Sequence, residues 1–155
     1  MATVIRVPAR WSGESGAELI EFALALPVLL LVGLGIFDFG ALFQHYEVIT
    51  NAAREGARVG ILPAYEDADV EARVTSYLNT SGLNGLLATV TVVHPTIPIP
   101  GGGCVAVMTS VTVEYPQTYG LVGGIASYFG GLVGGTGISA TAQMRNEVPA
   151  VCAGP

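Results

Sequence analysis

Between Glu21 and Asp38 the chain runs for sixteen residues, Phe22 to Phe37, without a charge, and most of them are apolar. As a helix this run covers about 24 Å, short of a hydrocarbon core of about 30 Å. Flanking residues must therefore complete a crossing. Phe39, Ala41, Leu42 and Phe43 resume the apolar character past Asp38, which predicts a membrane segment over about 22–43. The Asp38 carboxylate then sits in the outer boundary or faces a neighbouring helix. Arg6 and Arg10 precede the run and the next arginine is Arg54, so the positive-inside rule places the N-terminus in the cytoplasm and the remainder outside. Pro27 removes the hydrogen bond to the Ala23 carbonyl and predicts a bend. The glycines at 33, 35 and 40 expose backbone to which other helices can pack closely.

The helical pattern persists to about Leu62, where Pro63 is a stop. Glu47, Asn51, Arg54 and Arg58 form one polar stripe, while Ala52, Gly56 and Gly60, with Ala53 and Ala57 beside them, form a ridge of small side chains suited to a sheet or another subunit. Residues 66–81 place Val70, Val74, Tyr77 and Leu78 at helical spacing behind an acidic start, with Gly82 as the stop. The period then changes to two. Residues 89–93 read as a strand and "HPTIPIPGGG" as a turn-rich loop. Residues 105–115 put Val105, Val107, Thr109, Val111, Val113 and Tyr115 on one face. Residues 138–148 put Ile138, Ala140, Ala142, Met144 and Val148 on one face and Ser139, Thr141, Gln143, Arg145 and Glu147 on the other. The expected fold is α+β: a long N-terminal transmembrane helix extending into a small antiparallel-sheet domain, whose core meets the outer half of that helix.

The stretch from Thr118 to Gly137 is also uncharged, and by hydropathy alone it could be a second span. Eight of its residues are glycine, each costing a helix about 1 kcal/mol relative to alanine. Leu121, Val122, Ile125, Phe129, Leu132 and Val133 instead make one stripe, which predicts a segment lying on the sheet or against a neighbour. A second span would also put Cys104 and Cys152 on opposite sides of the membrane. With a single span they share an oxidising compartment, which permits a bridge pinning the tail beside the sheet; two free thiols are the alternative.

Composition narrows the chemistry. With 155 residues, 51% hydrophobic and 12% charged, the chain holds one domain and a membrane segment. Its six basic residues are all arginine and the net charge is -6, so no basic patch exists to track nucleic acid. His45 and His94 stand apart from any second ligand at metal spacing and read as surface residues. No lysine is available for a Schiff base or a phosphate loop, and no serine, histidine and acid grouping stands out. Neither a cofactor nor a metal is expected, and the chain reads as a non-enzyme; a membrane-tethered enzyme is a distant rival.

A secretory signal would end in a small-residue cleavage site, but here the glycine precedes the apolar run and the run continues unbroken. A plain uncleaved anchor leaves Gly16 and Glu21 unexplained. "GAELIEFALALP", with Gly16, Glu21 and Phe22, resembles the type III prepilin-peptidase motif of type IV pilins. Together with "NAAREGAR" at 51–58 and "ATAQMRNE" at 140–147, it resembles the TadE-like family of Flp/Tad pilus assembly. The resemblance implies a pilin-like organisation: a leader over 1–16, an N-terminal helix over 17–62 and an extracytoplasmic α+β domain over 63–155. It implies a minor pilin or pseudopilin, cut between Gly16 and Ala17 by a prepilin peptidase at the cytoplasmic face of the inner membrane. Its partners would be the peptidase, other pilin or pseudopilin subunits, the inner-membrane assembly platform and the lipid bilayer. The alternative is a single-pass scaffold of the assembly machinery that never enters a fibre.

The cut would give Ala17 a free amine one helical turn from Glu21, the two oppositely charged near neutrality. At a helix N-terminus a carboxylate complements the dipole; deeper in lipid an unpaired one costs on the order of 3 kcal/mol. The amine of an adjacent subunit could neutralise it, and the resemblance implies that Glu21 sets subunit register in this way, with Phe22 beside it as the second assembly residue. Two other readings stay open: Glu21 marks the water boundary, or Glu18 competes for the amine.

Overall fold

The computed structural model describes residues 14–101, 103–128, 130, 135–146 and 151–152. The predicted leader up to residue 13, with Arg6 and Arg10, lies outside them, as do Glu147, Val148, Phe129, Leu132 and Val133. The first helix, α1, spans Glu14–Gly60 and continues through Pro27. It is the one described helix long and apolar enough to cross a membrane. Its end falls two residues before the expected Leu62. The Ile61 N–H still bonds the Ala57 carbonyl at 3.2 Å, but the Leu62 N–H turns to the Val59 carbonyl at 3.1 Å. The last turn thus tightens ahead of Pro63.

Helix α2, Asp67–Thr80, buries Val70, Val74 and Leu78, the face its spacing predicted. The Asp69 carboxylate accepts the Glu66 N–H at 3.0 Å, closing its first turn. Gly82 follows with φ +85, a left-handed conformation for which glycine is suited. A 3-10 turn at Gly85–Leu87, with the Asn84 side chain accepting the Leu86 N–H, then leads into the sheet.

The sheet is built around one strand. β3, Cys104–Gln117, pairs antiparallel with β1 (Thr89–Val93), β2 (Thr96–Ile99), β4 (Thr136–Arg145) and β5 (Val151–Cys152). The β1 pairing ends at Val93↔Ser110 and the β2 pairing begins at Thr96↔Val107, so the register runs on without a slip. β1 and β2 are therefore one edge strand in two pieces. Between them the Met108 N–H donates to the Pro95 carbonyl at 2.9 Å, but proline has no N–H to return, and the ladder is interrupted there.

This corrects the expected loop over "HPTIPIPGGG": Thr96–Ile99 is strand. An edge strand needs only its neighbour's backbone, so its side chains carry no alternating signal. Met108 directs its N–H at this edge, and alternation turns Val105 and its partner Pro98 the other way. Pro98 thus places its missing donor outward, where nothing in the sheet requires it.

One face of the sheet is covered by the outer part of α1 and by α2. The core joins Ile49, Ala52, Ala53 and Ala57 with Val70, Val74, Leu78, Val111, Val113 and Tyr115. Thr109 and Gln117 are buried on the same face of β3. In β4, Ala140 is buried, Ile138, Ala142 and Met144 are half-buried, and Ser139, Thr141, Gln143 and Arg145 are exposed. β4 begins two residues earlier than expected because the Gln117↔Thr136 and Pro116↔Gly137 pairs extend the hairpin.

The ridge of small residues on α1 packs inside the chain. A Cβ at Gly56 would lie 2.6 Å from Val74 Cγ2, and one at Gly60 would lie 2.7 Å from Thr109 Cγ2. Both glycines let α1 approach α2 and the sheet more closely than any side chain would permit. Arg73 joins α2 to α1 through a 2.7 Å bond to Glu55. This pair is half-exposed and contributes at most about 1 kcal/mol.

Cys104 and Cys152 are disulfide-bonded at 2.02 Å across a separation of 48 residues. β5 pairs with β3 through only two residues, so the bond is its main attachment. A closed loop of this size typically stabilises by about 2–4 kcal/mol. The Cys104→Ser, Cys152→Ser double variant is expected to lower the melting temperature by about 10–20 °C. Differential scanning fluorimetry of the detergent-solubilised chain checks this; an unchanged midpoint would mean the bond adds nothing to the fold.

Candidate functional site

Gly16 and Ala17 lie in the first turns of α1 and are exposed, as is every residue from there to Val32. Glu21 and Phe22 follow one turn later, with Phe22 57% exposed. Among the described residues Glu21 has no hydrogen bond or ion pair. Among the described residues a Cβ built on Gly33, Gly35 or Gly40 meets nothing within 4 Å, so no described side chain packs into these positions. The assembly residues expected from the sequence therefore stand together on a bare apolar rod.

That rod has a polar collar where it meets the sheet domain. Asp38 is only 8% exposed. Its Oδ1 accepts the N–H of Leu121 at 3.2 Å, in the first turn of helix α3, Gly120–Tyr128. Of the two places open to Asp38, the structure selects a neighbouring helix, and that helix belongs to the same chain. Two turns further along α1, His45 Nδ1 meets Gln117 Oε1 at 2.5 Å, and the His45 ring stands edge-on to Tyr115 at 6.3 Å. His45 is thus half-buried, not a surface residue. The collar fixes both α1 and the end of β3 from which α3 departs.

Sequence reasoning left the stretch 118–137 on the sheet or against a neighbour. The structure corrects this: α3 packs on α1, with Ile125 beside Pro27, Val28, Leu30 and Leu31. The apolar stripe was legible, but its partner was not, because any apolar surface satisfies an apolar stripe.

At the opposite end of the domain a second polar cluster ties four elements together. Thr109 Oγ1 lies 3.0 Å from the Gly60 carbonyl, 2.7 Å from Asn146 Oδ1 and 3.3 Å from His94 Nδ1. His94 Nε2 in turn meets Asp67 Oδ1 at 2.9 Å. One hydroxyl hydrogen serves one acceptor, so with the Gly60 carbonyl accepting it the Asn146 amide must turn its NH2 to donate to Thr109. A hydroxyl, an imidazole and a carboxylate in series were not apparent from the sequence, since they come from β3, the β1–β2 junction and α2. Thr109 is fully buried, so a substrate atom cannot reach its oxygen; the cluster holds the helix end to the sheet.

The α1 geometry and the family comparison coincide. Residues 16–58 match the family model of TadE-like protein. The TadE-like segment begins at Gly16, contains Glu21 and Phe22, and continues through the apolar run to Arg58, two residues before α1 ends. It includes the "NAAREGAR" ridge that packs on α2 and the sheet; "ATAQMRNE", in β4 and beyond, falls outside it. No curated protein and no solved structure matches the chain. The TadE-like match over these residues supports a Tad pilus-related role, and the one long apolar helix among the described residues is compatible with a single-pass membrane anchor.

Proposed function

We propose that this chain is a minor pilin or pseudopilin, processed by a prepilin peptidase and assembled through α1 into a Tad/Flp pilus or a related secretion fibre. The observation that carries the reading is Glu21: an acid one turn from Ala17, without a hydrogen bond or ion pair among the described residues, on a stretch of α1 exposed from Gly16 to Val32. The match beginning at Gly16 supports a cut between Gly16 and Ala17. Before the cut the N-terminus faces the cytoplasm and the sheet domain lies outside, where the Cys104–Cys152 bond is chemically stable. The free amine of Ala17 then pairs with Glu21 of the adjacent subunit, and the open glycines at 33, 35 and 40 receive neighbouring helices. The Thr109, His94 and Asp67 series is architectural on this reading, and the function is assembly, not catalysis.

Intact-mass measurement of the protein recovered from its native cells tests the processing step. The expected mature chain starts at Ala17. A chain that retains Gly16 would overturn processing at this site. Recovery only in the membrane fraction, with none in sheared fibres, would favour a resident scaffold of the assembly machinery.

A further inference from the structure

We infer that helix α3 enters the bilayer beside α1, and that lipid acyl chains fill the apolar groove between α3 and α1. This inference rests on α1 spanning the membrane, as proposed above.

The Gln117↔Thr136 pair closes the hairpin, and α3 begins three residues after Gln117. Two contacts fix the course of α3. Leu121 meets Asp38, and Ile125 lies beside Pro27–Leu31, seven to eleven residues nearer the N-terminus of α1. From Leu121 to Ile125 the helix advances about 6 Å, so α3 descends along α1 at least that far below Asp38, and Ile125 faces a groove whose opposite wall is Pro27–Leu31. Pro27–Leu31 lies inside the charge-free run Phe22 to Phe37. A residue packed on that stretch of a spanning helix is at hydrocarbon depth.

The segment has the chemistry this position requires. Thr118 to Gly137 contains no charge. α3 is nine residues long, about 14 Å, too short to cross a hydrocarbon core of about 30 Å. Non-helical or terminal backbone at such depth must be bonded to protein. At the top of α3, Asp38 accepts the Leu121 N–H that has no carbonyl within the helix. Lower down, Ser127 Oγ donates to the Gly124 carbonyl at 2.8 Å, so this hydroxyl is bonded internally. A buried carboxylate at the edge of a span is costly in lipid, and an orphan helix terminus beside it gives that carboxylate a use.

The groove is lined by Pro27, Val28, Leu30, Leu31 and Ile125 and measures about 360 Å³. These five described side chains offer no donor or acceptor. Its continuity with the lipid-facing surface of α1 selects an acyl chain over a polar ligand.

The test uses the full chain in phosphatidylcholine vesicles, with its native disulfide intact. A single environment-sensitive fluorophore is attached through Ile125→Cys, Leu31→Cys or Asn84→Cys. Quenching by nitroxide-labelled acyl chains is compared with quenching by aqueous iodide. The expected result is that Ile125 and Leu31 are quenched equally by the acyl nitroxide and lose iodide quenching, while Asn84 shows the reverse. Leu31 quenched by lipid with Ile125 quenched by iodide would overturn the inference while leaving the anchor standing. Both positions quenched by iodide would remove the anchor itself. Ile125 shielded from both quenchers would mean that protein, such as a second copy, covers the groove, and would overturn lipid occupancy. In the Ile125-labelled chain Asp38→Ala is expected to restore iodide quenching, whereas Asp38→Asn, which keeps an oxygen acceptor, is expected not to. An Asp38→Ala result indistinguishable from the parent would remove Asp38 from the mechanism.

Discussion

Gly56→Leu is expected to loosen α1 from the sheet domain and to lower the melting temperature of the detergent-solubilised chain by about 4–8 °C. The first atom of the new side chain would stand 2.6 Å from Val74 Cγ2, 3.3 Å from Val111 Cγ1 and 3.4 Å from Val70 Cγ1. All three neighbours are β-branched and stiff, and all are fully buried or within 1% of it. None can move aside without opening the core. Overpacking of this kind costs about 1–3 kcal/mol or more, while leaving glycine for leucine in a helix returns less than about 1 kcal/mol. Packing therefore outweighs propensity. Gly33→Leu is the control, since a Cβ there meets nothing within 4 Å; its melting temperature is expected to hold or rise slightly. Equal midpoints for the two variants would mean that the close approach at Gly56 contributes nothing to stability.

Glu21→Ala is expected to leave cleavage and membrane level unchanged and to abolish recovery of the protein in sheared fibres. The side chain is exposed on α1, so its loss disturbs no contact within the subunit. An unpaired carboxylate drawn into lipid costs about 3 kcal/mol, and pairing with an amine removes that cost only in the correct register. Register discrimination of this size corresponds to about a hundredfold per addition step. Glu21→Gln keeps the shape and loses the charge, and is expected to behave like alanine. The readout is an immunoblot of sheared and membrane fractions, with intact mass confirming a start at Ala17. Fibres formed normally by either variant would rule out charge pairing as the register device.

Tertiary contacts constrain these two experiments differently, and the contrast shows what was legible in advance. The proposal for Glu21 comes from the sequence alone, because it rests on a local pattern: one acid, one turn from a small residue, at the head of a charge-free run. The ridge of Ala52, Gly56 and Gly60 was legible as a packing surface, but sheet and subunit were equal candidates until Val74 and Thr109 were seen against it. Thr109, His94 and Asp67 meet only because register sets the β1–β2 junction beside the centre of β3 and α2 crosses at the same point. Spacing along the chain contains no such information.

By itself the sequence determined the elements whose side chains must alternate or recur to bury a face: the long apolar helix, α2, β1, β3 and β4. Periodicity records burial, and burial was what those segments share. Only the tertiary structure decided the rest. β2 exists because β3 supplies backbone partners to a proline-interrupted edge, which requires nothing of its side chains. Asp38 has a use because α3 returns to lie against α1, and an apolar stripe specifies that it will be covered without specifying by what.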